Sequence, residues 1–137
     1  VLRDLTRIVS ISTKKNILVI DEKDELYNTD FDLGDTTDVI RGSDKRFGFY
    51  TAIRNLCPDI VVTDELTDQS DVDGVVFAAK SGVNVFATAH GGSFCDAESK
   101  SYLKKAFFEK CFDYAVFLER TSDRLSIKVK KYKGGER

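Results

Sequence analysis

The segment Cys57-Pro58-Asp59-Ile60-Val61-Val62-Thr63-Asp64-Glu65-Leu66 drives four apolar or β-branched residues straight into two adjacent carboxylates. β-Branched residues favour extended backbone. A short apolar run without alternation fits a strand buried on both faces, as in a parallel sheet. Residues 59–63 are therefore predicted as a strand whose carboxyl end delivers Asp64 and Glu65, with Pro58 closing the helix before it. Many nucleotide-hydrolysing proteins hold a metal ion and an attacking water at such an acid pair. They also carry a glycine-rich phosphate loop, and this sequence contains none.

Working outward, residues 16–20 (NILVI) form a second buried run that ends at Asp21 and Glu22, and residues 83–88 (VNVFAT) form a third, followed by Ala89-His90-Gly91-Gly92-Ser93. Between these runs the period changes to that of helices. Residues 1–10 place Leu2, Leu5, Ile8 and Val9 on one face, and residues 44–56 carry Phe47, Tyr50, Ile53 and Arg54. Residues 68–80 open with an acidic turn and stop at Gly82, a C-terminal cap. Residues 99–110 supply another helix. The polar stretch 28–43, with Gly34 and Gly42, is long enough to predict a functional loop. Residues 114–118 and 125–129 read as a hairpin around Arg120-Thr121-Ser122-Asp123.

Alternating strands and helices predict an α/β fold, a mostly parallel sheet flanked by helices, with an antiparallel hairpin at the C-terminal end. Ligands in such sheets gather beyond the carboxyl ends of the strands. Asp21-Glu22, Asp64-Glu65 and Thr88-Ala89-His90 all fall there, and this convergence is the strongest functional signal in the chain.

Composition narrows the class. The 137 residues suit one domain; 42% are hydrophobic and 32% charged, the mix of a soluble globular protein. No apolar run approaches the ~20 residues of a membrane span, and no signal peptide is apparent. A chain that begins at Val1 and contains no methionine is expected to be a processed product or a piece of a longer protein. The net charge of −2 gives no electrostatic basis for nucleic-acid binding. Lys128, Lys130, Lys131 and Lys133 are expected on a solvated strand edge, where lysine blunts aggregation. Cys57, Cys95 and Cys111 are an odd number without paired spacing, which points to a reducing cytoplasm; Cys57 and Cys111 are expected to act as small apolar side chains.

Each candidate residue has a plainer reading beside its functional one. Asp64 is expected to hold Mg²⁺ and Glu65 to polarise a water, although strand ends are often acidic without function. Asp21-Glu22-Lys23-Asp24-Glu25 is either a solvated charge run or the source of Glu22 as a partner of Glu65. His90, the sole histidine, sits among small residues that permit close ligand approach. Arg54 also suits a helix C-terminus. Arg41 and Lys45 are candidates for phosphate contact, with surface charge the simpler account. Asp71-Val72-Asp73 resembles the metal motif of topoisomerase-primase domains, but acids at a helix start favour the dipole.

The ordered set LRDL, VIDEKDELY, TTDVIRG, IRNLCPDIVVTDEL and GVNVFATAHGG resembles the stage III sporulation protein AA family. These are ATPases of endospore-forming bacteria, related to the ring-forming ATPases of type II and type IV secretion. The resemblance runs from Leu2 to about Leu118. It implies a RecA-like P-loop ATPase core, with residues 1–137 as the C-terminal part of a single such domain, starting just after a phosphate loop that lies upstream. It assigns Asp64 and Glu65 to the Walker B acids, Asp21, Glu22 and Glu25 to an acidic box, His90 to a histidine box, and Arg54 to the arginine preceding Walker B. By the same resemblance Glu65, Glu22 and His90 are catalytic, while Asp64, Arg54 and Asp21 bind the cofactor, ATP with Mg²⁺ on Asp64. Lys23 replaces the family's usual arginine, and Leu66-Thr67-Asp68 stands where relatives tend to have Ile-Gly.

The implied parent is a homo-oligomer, a hexameric ring peripheral to the mother-cell membrane, working with membrane-associated sporulation proteins and without nucleic acid. Lacking the loop's N–H cradle, this stretch alone is expected neither to bind ATP tightly nor to hydrolyse it. The rival reading is a non-catalytic, ATPase-like assembly module docking on membrane partners. A metal-dependent nucleic-acid domain built on Asp71 and Asp73 ranks below both, given the net charge.

Overall fold

The computed structural model describes residues 1–42 and 44–132. Ser43 and Lys133 lie outside the described residues. In chain order the elements are α1 (Leu2–Thr13), β1 (Ile17–Asp21), β2 (Thr37–Arg41), α2 (Lys45–Thr51) running into a π-helical turn (Ala52–Leu56), β3 (Ile60–Thr63), α3 (Gln69–Lys80), β4 (Asn84–Ala87), α4 (Phe94–Ser99), α5 (Ser101–Phe108), β5 (Tyr114–Arg120) and β6 (Leu125–Lys131).

Strands β1 to β4 form one parallel sheet in the order β2-β1-β3-β4, with Val19 aligned with both Val39 and Val62. Its two central strands are buried along their whole length, as their unbroken apolar runs require. On one face Ile20 and Val61 pack with Phe49 of α2, Val72 and Val75 of α3, and Leu103 of α5. On the other, Ile17, Val19, Ile60 and Val62 pack with Leu26 and Leu33, and with Leu2 and Val9 of α1. Strands β5 and β6 pair antiparallel, as a separate two-stranded ribbon.

Three expectations are corrected, and one helix is added. Residues 28–43 are not wholly a loop, because Thr37–Arg41 is the edge strand β2. As an edge it is only half-buried, so Asp38 and Arg41 interrupt the apolar run that marks β1 and β3. The helix expected over 99–110 is α5, and a further short helix, α4, precedes it: Ser93 caps α4 by accepting a hydrogen bond from the Asp96 N–H, and extended backbone at Lys100 separates α4 from α5. Helix α1 does not bury its apolar stripe whole. Leu5 and Ile8 are exposed, as is Ile11, while Thr6 and Ser10 are buried, with Ser10 hydrogen-bonded to Thr36 Oγ1 at 2.8 Å. Cys57 is exposed rather than an apolar filler, since it ends the π-helical turn in a left-handed conformation. Cys111 is buried as expected.

The ribbon is anchored through α4. Phe117 packs on Phe94 with ring centroids 5.7 Å apart, and Glu98 accepts hydrogen bonds from Lys130 Nζ and, at 2.8 Å, from the Tyr132 hydroxyl. Lys130 is therefore not simply solvated, whereas Lys128 and Lys131 are exposed. The Lys130 ammonium, and then the Tyr132 hydroxyl, hold the Glu98 carboxyl below its ordinary range. A carboxyl depressed in the folded state contributes stability that is present above its unfolded pKa and lost as pH falls through the folded value. Acidification below about pH 4 is therefore expected to loosen β5–β6 by about 0.5 kcal/mol, scaled for a partly exposed pair. Hydrogen exchange in the ribbon should show this step, and Glu98→Gln should remove it.

Candidate functional site

Three strand ends bring the candidate residues together. Beyond β1, β3 and β4 lies a cleft of about 580 Å³ lined by Arg3, Glu25, Asp64, Glu65, Thr88 and His90, among others. The Leu66 N–H donates to the Thr88 carbonyl at 2.7 Å, locking the exits of β3 and β4 side by side. Glu65 and His90 meet there, with His90 Nε2 3.2 Å from Glu65 Oε1. The imidazole is 85% exposed and accessible from the cleft. Arg3 donates to the Glu25 carbonyl at 2.8 Å and tethers α1 to the cleft's rim.

Asp64 differs from its neighbour. It is 5% exposed, and neither carboxylate oxygen has a hydrogen-bond partner among the described residues. Oδ1 lies 3.0 Å from the Lys45 ammonium, at ion-pair distance without a well-directed hydrogen bond. Oδ2 is left with no partner. An orphaned carboxylate oxygen at a strand end fits a hard divalent cation held by one protein carboxylate and otherwise by water and phosphate oxygens. No group of three ligating side chains surrounds a common point among the described residues.

Lys45 overturns the expectation of surface charge. Its side chain is 2% exposed, and Nζ lies 3.0 Å from Asp64, 3.7 Å from Asp71 and 3.8 Å from Glu22; it also donates to the Glu65 carbonyl. Asp44 caps α2, and Gly48 lets the helix approach β1, since a Cβ there would lie 2.8 Å from Ile20 Cγ2. The signal was present in the sequence. Lys45, Gly48, Phe49 and Ala52 are all buried at helical spacing, so Lys45 begins the buried stripe. Asp71, at the start of α3 as expected, also accepts hydrogen bonds from the Thr67 N–H and hydroxyl. Arg41 fits the surface reading, paired with Asp24 at 2.8 Å.

Two candidates stand apart. Arg54 lies on the turn entering β3, at the opposite end of that strand from Asp64, with its guanidinium 5.9 Å from the Tyr50 ring centroid. Asp21 is fully buried, and its carboxylate accepts from the N–H groups of Glu25 at 2.9 Å, Leu26 at 3.0 Å and Tyr27 at 2.8 Å. It thus shapes the loop that presents Glu22 and Glu25. Asp21→Ala would orphan all three donors and is expected to cost about 2–4 kcal/mol, with Asp21→Asn, which keeps an acceptor, costing less. Denaturation midpoints and hydrogen exchange at residues 25–27 check this.

With this geometry in hand, the whole chain, residues 1–137, matches the family described as sporulation stage III, protein AA. The chain belongs to that family. It is 32% identical over 129 residues to stage III sporulation protein AA of Bacillus subtilis (strain 168), covering 87% of this chain and 42% of that protein. The fold matches the X-ray structure of the Legionella pneumophila ATPase DotB with a TM-score of 0.59 and 16% identity, over 93% of this chain and 39% of that one. The chain thus spans less than half the length of either relative. The fold match accounts for the parallel sheet flanked by helices. No helix among the described residues is long and apolar enough to cross a membrane.

Proposed function

We propose that the chain is the C-terminal part of a P-loop ATPase domain that hydrolyses ATP to drive a sporulation-specific transport apparatus between mother cell and forespore. The observation that carries this reading is the cleft at the exits of β1, β3 and β4. There Glu65 and His90 face each other, and Asp64 holds an orphaned oxygen. Glu65 orients a water and accepts its proton. His90, exposed beside Glu65, follows the terminal phosphate, and Glu22 adds negative charge beside Asp64 and Lys45 that favours a cation there. Mg²⁺, held on Asp64, would neutralise phosphate charge. In the parent this cleft would sit at a subunit interface of a ring, probed from the neighbouring copy, on the cytoplasmic face of the mother-cell membrane.

The exposed apolar face of the ribbon, with Val116, Ile127 and Val129 each more than half exposed, favours a second reading, an assembly module that docks without turnover. Steady-state ATP hydrolysis by the full-length protein decides between them. Mg²⁺-dependent turnover supports the first reading. No turnover in protein that still assembles supports the second.

A further inference from the structure

We propose that Lys45 is a latch on Asp64: it holds the carboxylate away from the cleft and must release it before a divalent cation can bind. The inference rests on the reading of Asp64 as the cation's ligand and adds the control of that ligand.

Asp64 lines the cleft, yet both of its carboxylate oxygens are shut off from solvent. Oδ1 is drawn to the Lys45 ammonium at 3.0 Å, and Lys45 is not among the residues lining the cleft. The carboxylate therefore faces inward, towards a fixed charge, and a hydrated cation arriving from the cleft meets no oxygen of Asp64. Turning the side chain outward breaks the ion pair and exposes both oxygens together.

Lys45 has somewhere to stay when this happens. An ammonium has three donors, and Nζ keeps the Glu65 carbonyl and the Asp71 carboxylate at 3.7 Å. Asp71 is fixed in place by Thr67, and Glu22 at 3.8 Å adds a weaker attraction from the more exposed side. Without Asp64 the ammonium keeps one hydrogen bond, to the Glu65 carbonyl, and ion-pair attraction from Asp71 and Glu22. Charge agrees with this arrangement. Three carboxylates lie within ion-pair distance of one ammonium, leaving two negative charges uncompensated in a weakly screened setting. A divalent cation on Asp64 supplies that balance without expelling the lysine. Because Nζ also holds the Glu65 carbonyl, the lysine that pairs with Asp64 also fixes the backbone of the proposed water-positioning residue.

The test is Mn²⁺ binding to the full-length protein, followed by electron paramagnetic resonance with no nucleotide present. Lys45→Met keeps the length and removes the charge; Mn²⁺ affinity is expected to rise about tenfold or more, a difference of about 1.4 kcal/mol. Adding Asp64→Asn should abolish the gain. Unchanged or weaker Mn²⁺ affinity in a folded Lys45→Met protein overturns the latch. Removing the lysine leaves carboxylates facing one another, so folding is checked by circular dichroism. Should the single variant fail to fold, Lys45→Met/Asp71→Asn compared with Asp71→Asn alone decides by the same criterion. ATP turnover of the unaltered protein is read in parallel. A gain in Mn²⁺ affinity without any turnover keeps the latch and discards the hydrolase reading, while turnover without that gain discards the latch alone.

Discussion

Glu65→Gln in the full-length protein is expected to lower ATP turnover by about 10²–10⁴-fold, the range for loss of a positioned general base. Nucleotide affinity should change by less than about threefold, because the amide is nearly isosteric and the lost step belongs to the transition state. The geometry makes the substitution clean. Glu65 is about one-third exposed at the cleft, and among the described residues its side chain meets His90 Nε2 at 3.2 Å, a contact that glutamine can retain. Asp64, beside it, is buried and tied to Lys45, so its position does not depend on the Glu65 carboxylate. Single-turnover hydrolysis and equilibrium binding of a fluorescent ATP analogue separate the two effects. Turnover within twofold of the unaltered protein would mean that Glu65 does not activate water. Loss of binding together with turnover would mean that it holds nucleotide instead.

The strongest parts of the sequence signal were those in which burial is uniform. Runs such as Ile60-Val61-Val62-Thr63 have both faces covered and announce themselves as central strands. Asp64 and Glu65 land at the cleft because chain direction in a parallel sheet fixes which end they occupy. Strand β2 was hidden for the opposite reason. At an edge, one flank needs no apolar cover, so Thr37–Arg41 looks like polar loop. Lys45 departs from the surface expectation because its place on the helix, not its charge, sets its burial. Only the spacing to Gly48, Phe49 and Ala52 shows that it points inward, and only the fold shows that three carboxylates from β1, β3 and α3 meet it. Asp21 shows the reverse. Its position in an acidic run promised a ligand, yet its three backbone partners lie four to six residues further along its own loop, a local arrangement that composition does not express.

The packing that places Lys45 can be tested through Phe49, one helical turn further along α2. Phe49 is fully buried, and its ring lies against α3 at Gly74, where a Cβ would come within 2.4 Å of Cδ2 and 2.9 Å of Cγ. Phe49→Ala is expected to destabilise the fold by about 3–5 kcal/mol, a large share of the ~5–15 kcal/mol that holds a typical domain together. Gly74→Ala fails for the opposite reason, overpacking, and is expected to cost about 1–3 kcal/mol. The two positions share one contact, so their effects should not add. Phe49→Leu removes the ring edge that the new methyl would strike, and Gly74→Ala should therefore cost less in the Phe49→Leu background than alone. Denaturant midpoints of the four proteins give the coupling directly. A cost for Gly74→Ala that is the same in both backgrounds would show that the ring does not set the distance between α2 and α3. In that case, the close approach that buries Lys45 beside Asp64 and Asp71 would have to come from Gly48 against Ile20, on the strand side of the same helix.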